Sequence, residues 1–190
     1  MQNSSTEEEL SFRVGLIERV VADQGRRLGD LTHALFVNND ADRAPPETIV
    51  VDADSVSPFA AGFHFRETDG AGRPYRWTGR GDFFELRLKI DRNIEWDFEL
   101  DLRGNDHVNI ATLRVFADYV EIPVSFANPS YHVVGTIPAK AISDLAVLTF
   151  YLPIHFVPSK LDPQSADHRT LSAVFYALTL VPRSGSTAAR

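Results

Sequence analysis

From Phe84 to Leu102 the chain alternates almost without fault. Phe84, Leu86, Leu88 and Ile90 fall on every second position, and after Asp91-Arg92-Asn93 so do Ile94, Trp96, Phe98, Leu100 and Leu102. Side chains point to opposite faces at a period of two only in a β-strand, so each run reads as a strand with one buried face. The polar break between them predicts a hairpin with a three-residue loop. In that register Lys89 would face Glu95 and Arg87 would face Asp97, pairing opposite charges on the outer surface.

The pattern repeats along the rest of the chain. Thr48 to Val51 reads as a first strand. Leu113, Val115 and Ala117 predict a partner for Val120, Ile122 and Val124 across a two-residue turn at Asp118-Tyr119. Residues 131–137, 145–152 and 171–181 supply further strands, each bounded by Pro, Asn, Asp or Ser. Many short strands without intervening helices predict a mainly β fold, a two-sheet sandwich of jelly-roll type, over residues 41–182.

A different period governs residues 1–40. Leu10, Val14, Ile17, Val21, Gln24, Leu28, Leu31 and Leu35 are spaced four and three residues apart in turn, a heptad seam. Ser5 or Thr6, followed three residues later by a glutamate, supplies a capping box at its start. Arg13 and Glu18 have the spacing of an interchain pair in a parallel coiled coil, so a parallel homodimer or homotrimer is expected through these eight residues. The bland alternative is an amphipathic helix packed on its own domain, but the flanks of this stripe are mostly polar. Asn38-Asn39-Asp40 ends the helix, Pro45-Pro46 forms a stiff spacer, and residues 183–190 read as a disordered tail.

Charge narrows the functions. With 26 acidic and 19 basic residues the net charge is -7, which disfavours nucleic acid and anionic membrane surfaces. There is no cysteine, which excludes disulfides, thiolate metal sites and cysteine nucleophiles. The first residues are acidic where a secretory signal is basic, and no apolar run is long enough to insert in a membrane, so a cytoplasmic protein is the expectation.

Catalytic signatures are missing. The six histidines, at positions 33, 64, 107, 132, 155 and 168, do not share ligand spacings, and no Gly-rich phosphate loop, dinucleotide fingerprint or nucleophile elbow occurs. Asp52-Ala53-Asp54-Ser55 offers oxygens on alternate positions but lacks the rest of a calcium loop. The acidic residues at 95, 97, 99 and 101 read as a solvated strand face. No enzyme, metal or cofactor is expected. Trp77, Tyr75, Phe63, Phe65, Tyr119, Tyr131 and Tyr176 include candidates for stacking on a sugar, although for any one of them a core position is the commoner fate.

Several motifs recur in a familiar order: Arg76-Trp77-Thr78-Gly79, the strand from Phe84 to Ile90, the turn at Asp118, Leu152-Pro153 with Pro158-Ser159-Lys160-Leu161, and Asp167-His168-Arg169-Thr170-Leu171 leading into the last strand. Over residues 70–182 this resembles the galactose-binding-like β-sandwich modules that accompany bacterial glycosyltransferases and surface-polysaccharide proteins. The resemblance implies that Arg76, Trp77 and Arg169 are family positions, either touching glycan or locking loops together. The chain departs from the usual Asp-Gly turn at Tyr119, which implies a longer loop or a tyrosine displayed for binding. The expected function is a noncatalytic carbohydrate-binding module with Arg76, Trp77, Tyr119 and Arg169 as ligand-binding candidates. An oligomeric scaffold that docks a protein, a glycosyltransferase among others, is the alternative.

Overall fold

The computed structural model describes residues 47–56, 60–128, 132–140 and 144–183. The expected coiled-coil helix over residues 1–40, its whole heptad seam, and residues 184–190 of the expected tail lie outside the described residues.

The described chain is mainly β and forms a two-sheet sandwich. Eleven strands run in the order β1 (Ile49–Asp52), β2 (Phe63–Thr68), β3 (Pro74–Thr78), β4 (Phe83–Lys89), β5 (Trp96–Arg103), β6 (Arg114–Ala117), β7 (Val120–Ile122), β8 (Val124–Asn128), β9 (His132–Ile137), β10 (Leu145–Tyr151) and β11 (Val174–Pro182). One sheet has seven strands in the order β2-β3-β11-β5-β9-β8, with β1 also pairing β11. The other has four, β4-β10-β6-β7. The paired strands are antiparallel throughout.

The two alternating runs do not form the expected hairpin. β4 pairs β10 in the smaller sheet, while β5 lies between β11 and β9 in the larger one. Residues 91–95 are therefore a crossover between sheets, and neither Lys89 with Glu95 nor Arg87 with Asp97 is a cross-strand pair. The alternation itself holds: Phe84, Leu86, Leu88 and Ile90 are buried from one side, and Trp96, Phe98, Leu100 and Leu102 from the other. A period of two fixes which residues face inward but is silent on which sheet a strand joins.

Aromatic rings join the sheets across this core. Phe84 stacks on Phe150 within the smaller sheet at 4.7 Å, and meets Phe63 and Phe175 of the larger sheet edge-on at 5.2 and 6.4 Å. Offset and edge-on contacts suit the ring quadrupole, so they add to the burial of large apolar surface. The expected second hairpin is present, with Ala117 opposite Val120 across Asp118-Tyr119. After Pro123 the chain leaves the smaller sheet, so Val124 begins β8 in the larger one.

Candidate functional site

The Arg-Trp-Thr-Gly motif builds a corner of the larger sheet. Alternation along β3 turns Arg76 and Thr78 inward and leaves Tyr75 and Trp77 on the outer face. The Arg76 guanidinium donates to the carbonyls of Ala53 (2.8 Å), His64 (3.1 Å) and Val56 (3.1 Å), tying the ends of β1 and β2 to β3. Burial pushes its pKa down, opposed by the nearby Asp54 carboxylate. Thr78 exchanges hydrogen bonds with Ala173, its hydroxyl donating to the carbonyl at 3.0 Å. Gly79 follows at φ +114°, where a Cβ would stand 2.6 Å from the Ser172 nitrogen, so only glycine allows the approach.

Outside this corner the aromatic faces meet other side chains. Tyr75 approaches Trp77 edge-on at 6.2 Å, and Trp77 approaches Phe156 at 5.8 Å. Tyr176, on the bulge of β11, carries the Arg73 guanidinium 3.7 Å above its ring, with Arg103 at 4.8 Å. Arg169 grips Asp167 with two nitrogens and donates to Glu67 at 2.6 Å, and Glu67 in turn accepts from the Tyr75 hydroxyl at 2.9 Å. The fork of hydrogen bonds from Arg169 holds the Asp167 carboxyl down to about 2 and raises the Arg169 pKa further.

The structure thus gathers Arg76, Trp77 and Arg169 at one corner, with Arg76 beneath the sheet surface and the other two half-buried above it. Tyr119 lies apart, in the turn of the smaller sheet, at φ +70° beside Asp118 at +47°. The loop is no longer than two residues. Asp52 accepts from the Ser55 backbone at 2.8 Å and Asp54 pairs with Arg66, and among the described residues no group of three His, Asp or Glu side chains converges to hold a metal.

A second feature of the same outer face is a shallow depression. Toward the far end of the strands, β5, β8, β9 and β11 line an open groove of about 590 Å³. That is within the few-hundred to thousand Å³ range of small-molecule sites. Its residues follow from strand alternation and register. Thr179, Glu99, Val134 and Ser125 lie side by side across β11, β5, β9 and β8. Val181, Asp97 and Thr136 form the next row, and Arg183 and Pro123 complete the walls. Thr136 donates its hydroxyl to Asp97 at 2.7 Å, Arg183 bridges Asp97 and Glu95, and the His132 ring meets Glu99 at 2.9 Å.

The chain is similar to two solved carbohydrate-active proteins. One is the C-terminal CBM6 of LamC, a marine laminarinase from Zobellia galactanivorans, at 9% identity and a TM-score of 0.41, over 71% of this chain and 99% of that one. The other is the Podospora anserina GH26-CBM35 β-(1,4)-mannanase, at 11% identity and 0.43, over 76% of this chain and 29% of that one. No family model and no curated protein matches the sequence. The groove's chemistry rests on its own residues.

None of the groove residues stood out in the sequence. Asp97 and Glu99 read there as a solvated strand face, which is the usual meaning of acids alternating with a core. The available signal was weaker: Thr136 and Thr179 are uncharged outward residues on strands that could flank an acidic one. Strand order decides that adjacency, and strand order is not written in any one strand.

Proposed function

We propose that this chain is a noncatalytic carbohydrate-binding module and that its glycan lies in the groove on the outer face of the larger sheet. The observation that carries this reading is the lining: the hydroxyls of Thr179 and Ser125 and the carboxylates of Asp97 and Glu99 stand beside the apolar surfaces of Val134 and Val181. A sugar ring has hydroxyls around its edge and C–H groups on its faces, so it needs hydrogen-bonding groups and apolar surface interleaved at this scale. On this reading the corner of Arg76, Trp77 and Arg169 holds loops in place at the opposite end of the strands from the groove, and Tyr119 serves its turn.

Single-site glycan binding is commonly weak, and the heptad residues Leu10 to Leu35 would multiply it by joining two or three copies. By resemblance, the setting is bacterial surface polysaccharide. The test is titration of soluble oligosaccharides into the full chain, comparing wild type with Thr179→Val and Asp97→Asn. Saturable binding that weakens about tenfold in either variant, at unchanged melting temperature, is the expected result. Binding untouched by both variants, or release of reducing ends from the glycan, overturns the reading.

One observation favours protein docking as a second reading. Among the described residues β2 is an edge strand, and Phe65 on it is 78% exposed. An edge strand bearing an exposed aromatic is a surface that another chain can extend. Loss of a co-purifying protein on Phe65→Lys, with glycan binding intact, would identify that role.

A further inference from the structure

Along the outward line of β5, three carboxylates differ in how they are neutralised. Asp97 has the Arg183 guanidinium at 3.0 Å, although Arg183 also serves Glu95 at 3.1 Å. Asp101 has two guanidiniums, Arg73 at 3.3 Å and Arg103 at 3.5 Å. Among the described residues, Glu99, midway between them and in the lining of the groove, meets only an imidazole, that of His132, which is a cation only when protonated. Its side chain is 57% exposed. A carboxylate so placed has room and charge for an external cation.

Its neighbours describe the rest of that cation's carrier. Thr179 is the cross-strand partner of Glu99 on one side and Val134 on the other, with Ser125 beyond Val134. Adjacent strands are spaced about 4.8 Å apart, so acid, hydroxyl and apolar surface fall within the width of one or two sugar rings. Resting on the glycan reading of the groove, we propose that its ligand is an amino-sugar chain carrying free ammonium groups, with one ammonium on Glu99, ring hydroxyls on Thr179 and Ser125, and a C–H face on Val134. Charge-assisted hydrogen bonds are the stronger kind, and they reward an ammonium over a hydroxyl or an acetamide at the same position. An acidic glycan would instead set its carboxylates against Asp97 and Glu99, with Arg183 already engaged by Asp97 and Glu95.

The experiment is calorimetric titration of the full chain, at neutral pH and low salt, with three probes of equal length: a β-1,4-linked glucosamine tetramer, the same tetramer fully N-acetylated, and a tetramer of uronic acid. The free amine is expected to bind about two- to fivefold tighter than its acetylated counterpart, a modest factor because the pair is partly solvated, and the uronate is expected to bind weakest. Glu99→Gln should abolish the preference, bringing the amine's affinity down to that of the acetylated tetramer, at an unchanged melting temperature. Asp144→Asn, at an exposed acid just before β10, should change neither. Equal or tighter binding of the acetylated or acidic tetramer overturns the amino-sugar inference and leaves glycan binding standing. So does a preference that survives Glu99→Gln, or one that Asp144→Asn also removes. If none of the three binds and no neutral oligosaccharide does either, the groove is not a glycan site, and the reading beneath the inference fails with it.

Discussion

Arg92 donates to the Asp118 carboxylate at 3.1 Å, and the two side chains are 3% and 4% exposed. Asp118 also accepts from the backbone of Val147 at 3.0 Å. One carboxylate therefore joins the crossover between β4 and β5, the β6–β7 turn and the middle of β10. In the sequence Arg92 looks like the tip of a solvated hairpin loop. Once residues 91–95 pass from one sheet to the other, it sits at the end of the sandwich, where an unpaired charge would be costly.

Breaking this pair from one side should be severe. Asp118→Ala is expected to lower stability by about 3–5 kcal/mol, because it takes the carboxylate from a buried guanidinium, and Arg92→Ala by less, because Lys140 still reaches Asp118 at 3.4 Å. The double variant Arg92→Ala with Asp118→Ala should cost less than the sum of the two. Urea unfolding of the four proteins measures the difference, and strict additivity would show that the two residues act independently.

Tyr119 should be replaceable to advantage. At φ +70° a side chain pays about 1–2 kcal/mol that glycine does not. Tyr119→Gly is expected to raise the urea midpoint by roughly 1 kcal/mol equivalent at unchanged m-value. A loss of stability instead would mean that the tyrosine ring contributes more than the strain it carries.

The corner and the groove should separate in their effects. Gly79→Ala forces a Cβ against the Ser172 backbone in a conformation that alanine avoids, and should destabilise by about 2 kcal/mol or more. Trp77→Ala should also lower the melting temperature, through loss of its contacts to Tyr75 and Phe156. Neither should change the affinity of the remaining folded protein for oligosaccharide. A Trp77→Ala protein that folds like wild type but no longer binds would move the site to the corner.

Acid should act at Asp167. Its carboxyl is held down to about 2 by Arg169, below the ordinary 3.8, so the ionised form favours the folded state. That contribution is complete above about pH 4 and disappears as the pH falls toward 2. Asp167→Asn should therefore lower the melting temperature at neutral pH, by the equivalent of about 1 kcal/mol for a partly solvated pair, and the gap to wild type should close across that window. A gap that persists at pH 2 would assign the loss to packing instead of charge.

What the residues determined alone is the local half of the structure. Alternation from Phe84 to Leu102 decided which apolar side chains face the core, because a strand has a period of two, although Glu85 and Arg92 are buried as well. The spacing of Ala117 and Val120 was enough to place the β6–β7 turn, despite a tyrosine where glycine is usual. The Arg76-to-Gly79 motif marked a real corner, whose Gly79 the approach of Ser172 requires. Tertiary structure decided everything that depends on which strands are neighbours. It split the Phe84–Leu102 pair between two sheets, buried Arg92 against Asp118, and set Thr179, Glu99, Val134 and Ser125 in one row from four separate strands. Gly135 shows how such adjacency is enforced, since a Cβ there would lie 2.7 Å from the Phe98 ring. The physical reason is one of range: side-chain direction follows from the bonds next to it, whereas strand order is a compromise reached by the whole core, and the groove exists only as its result.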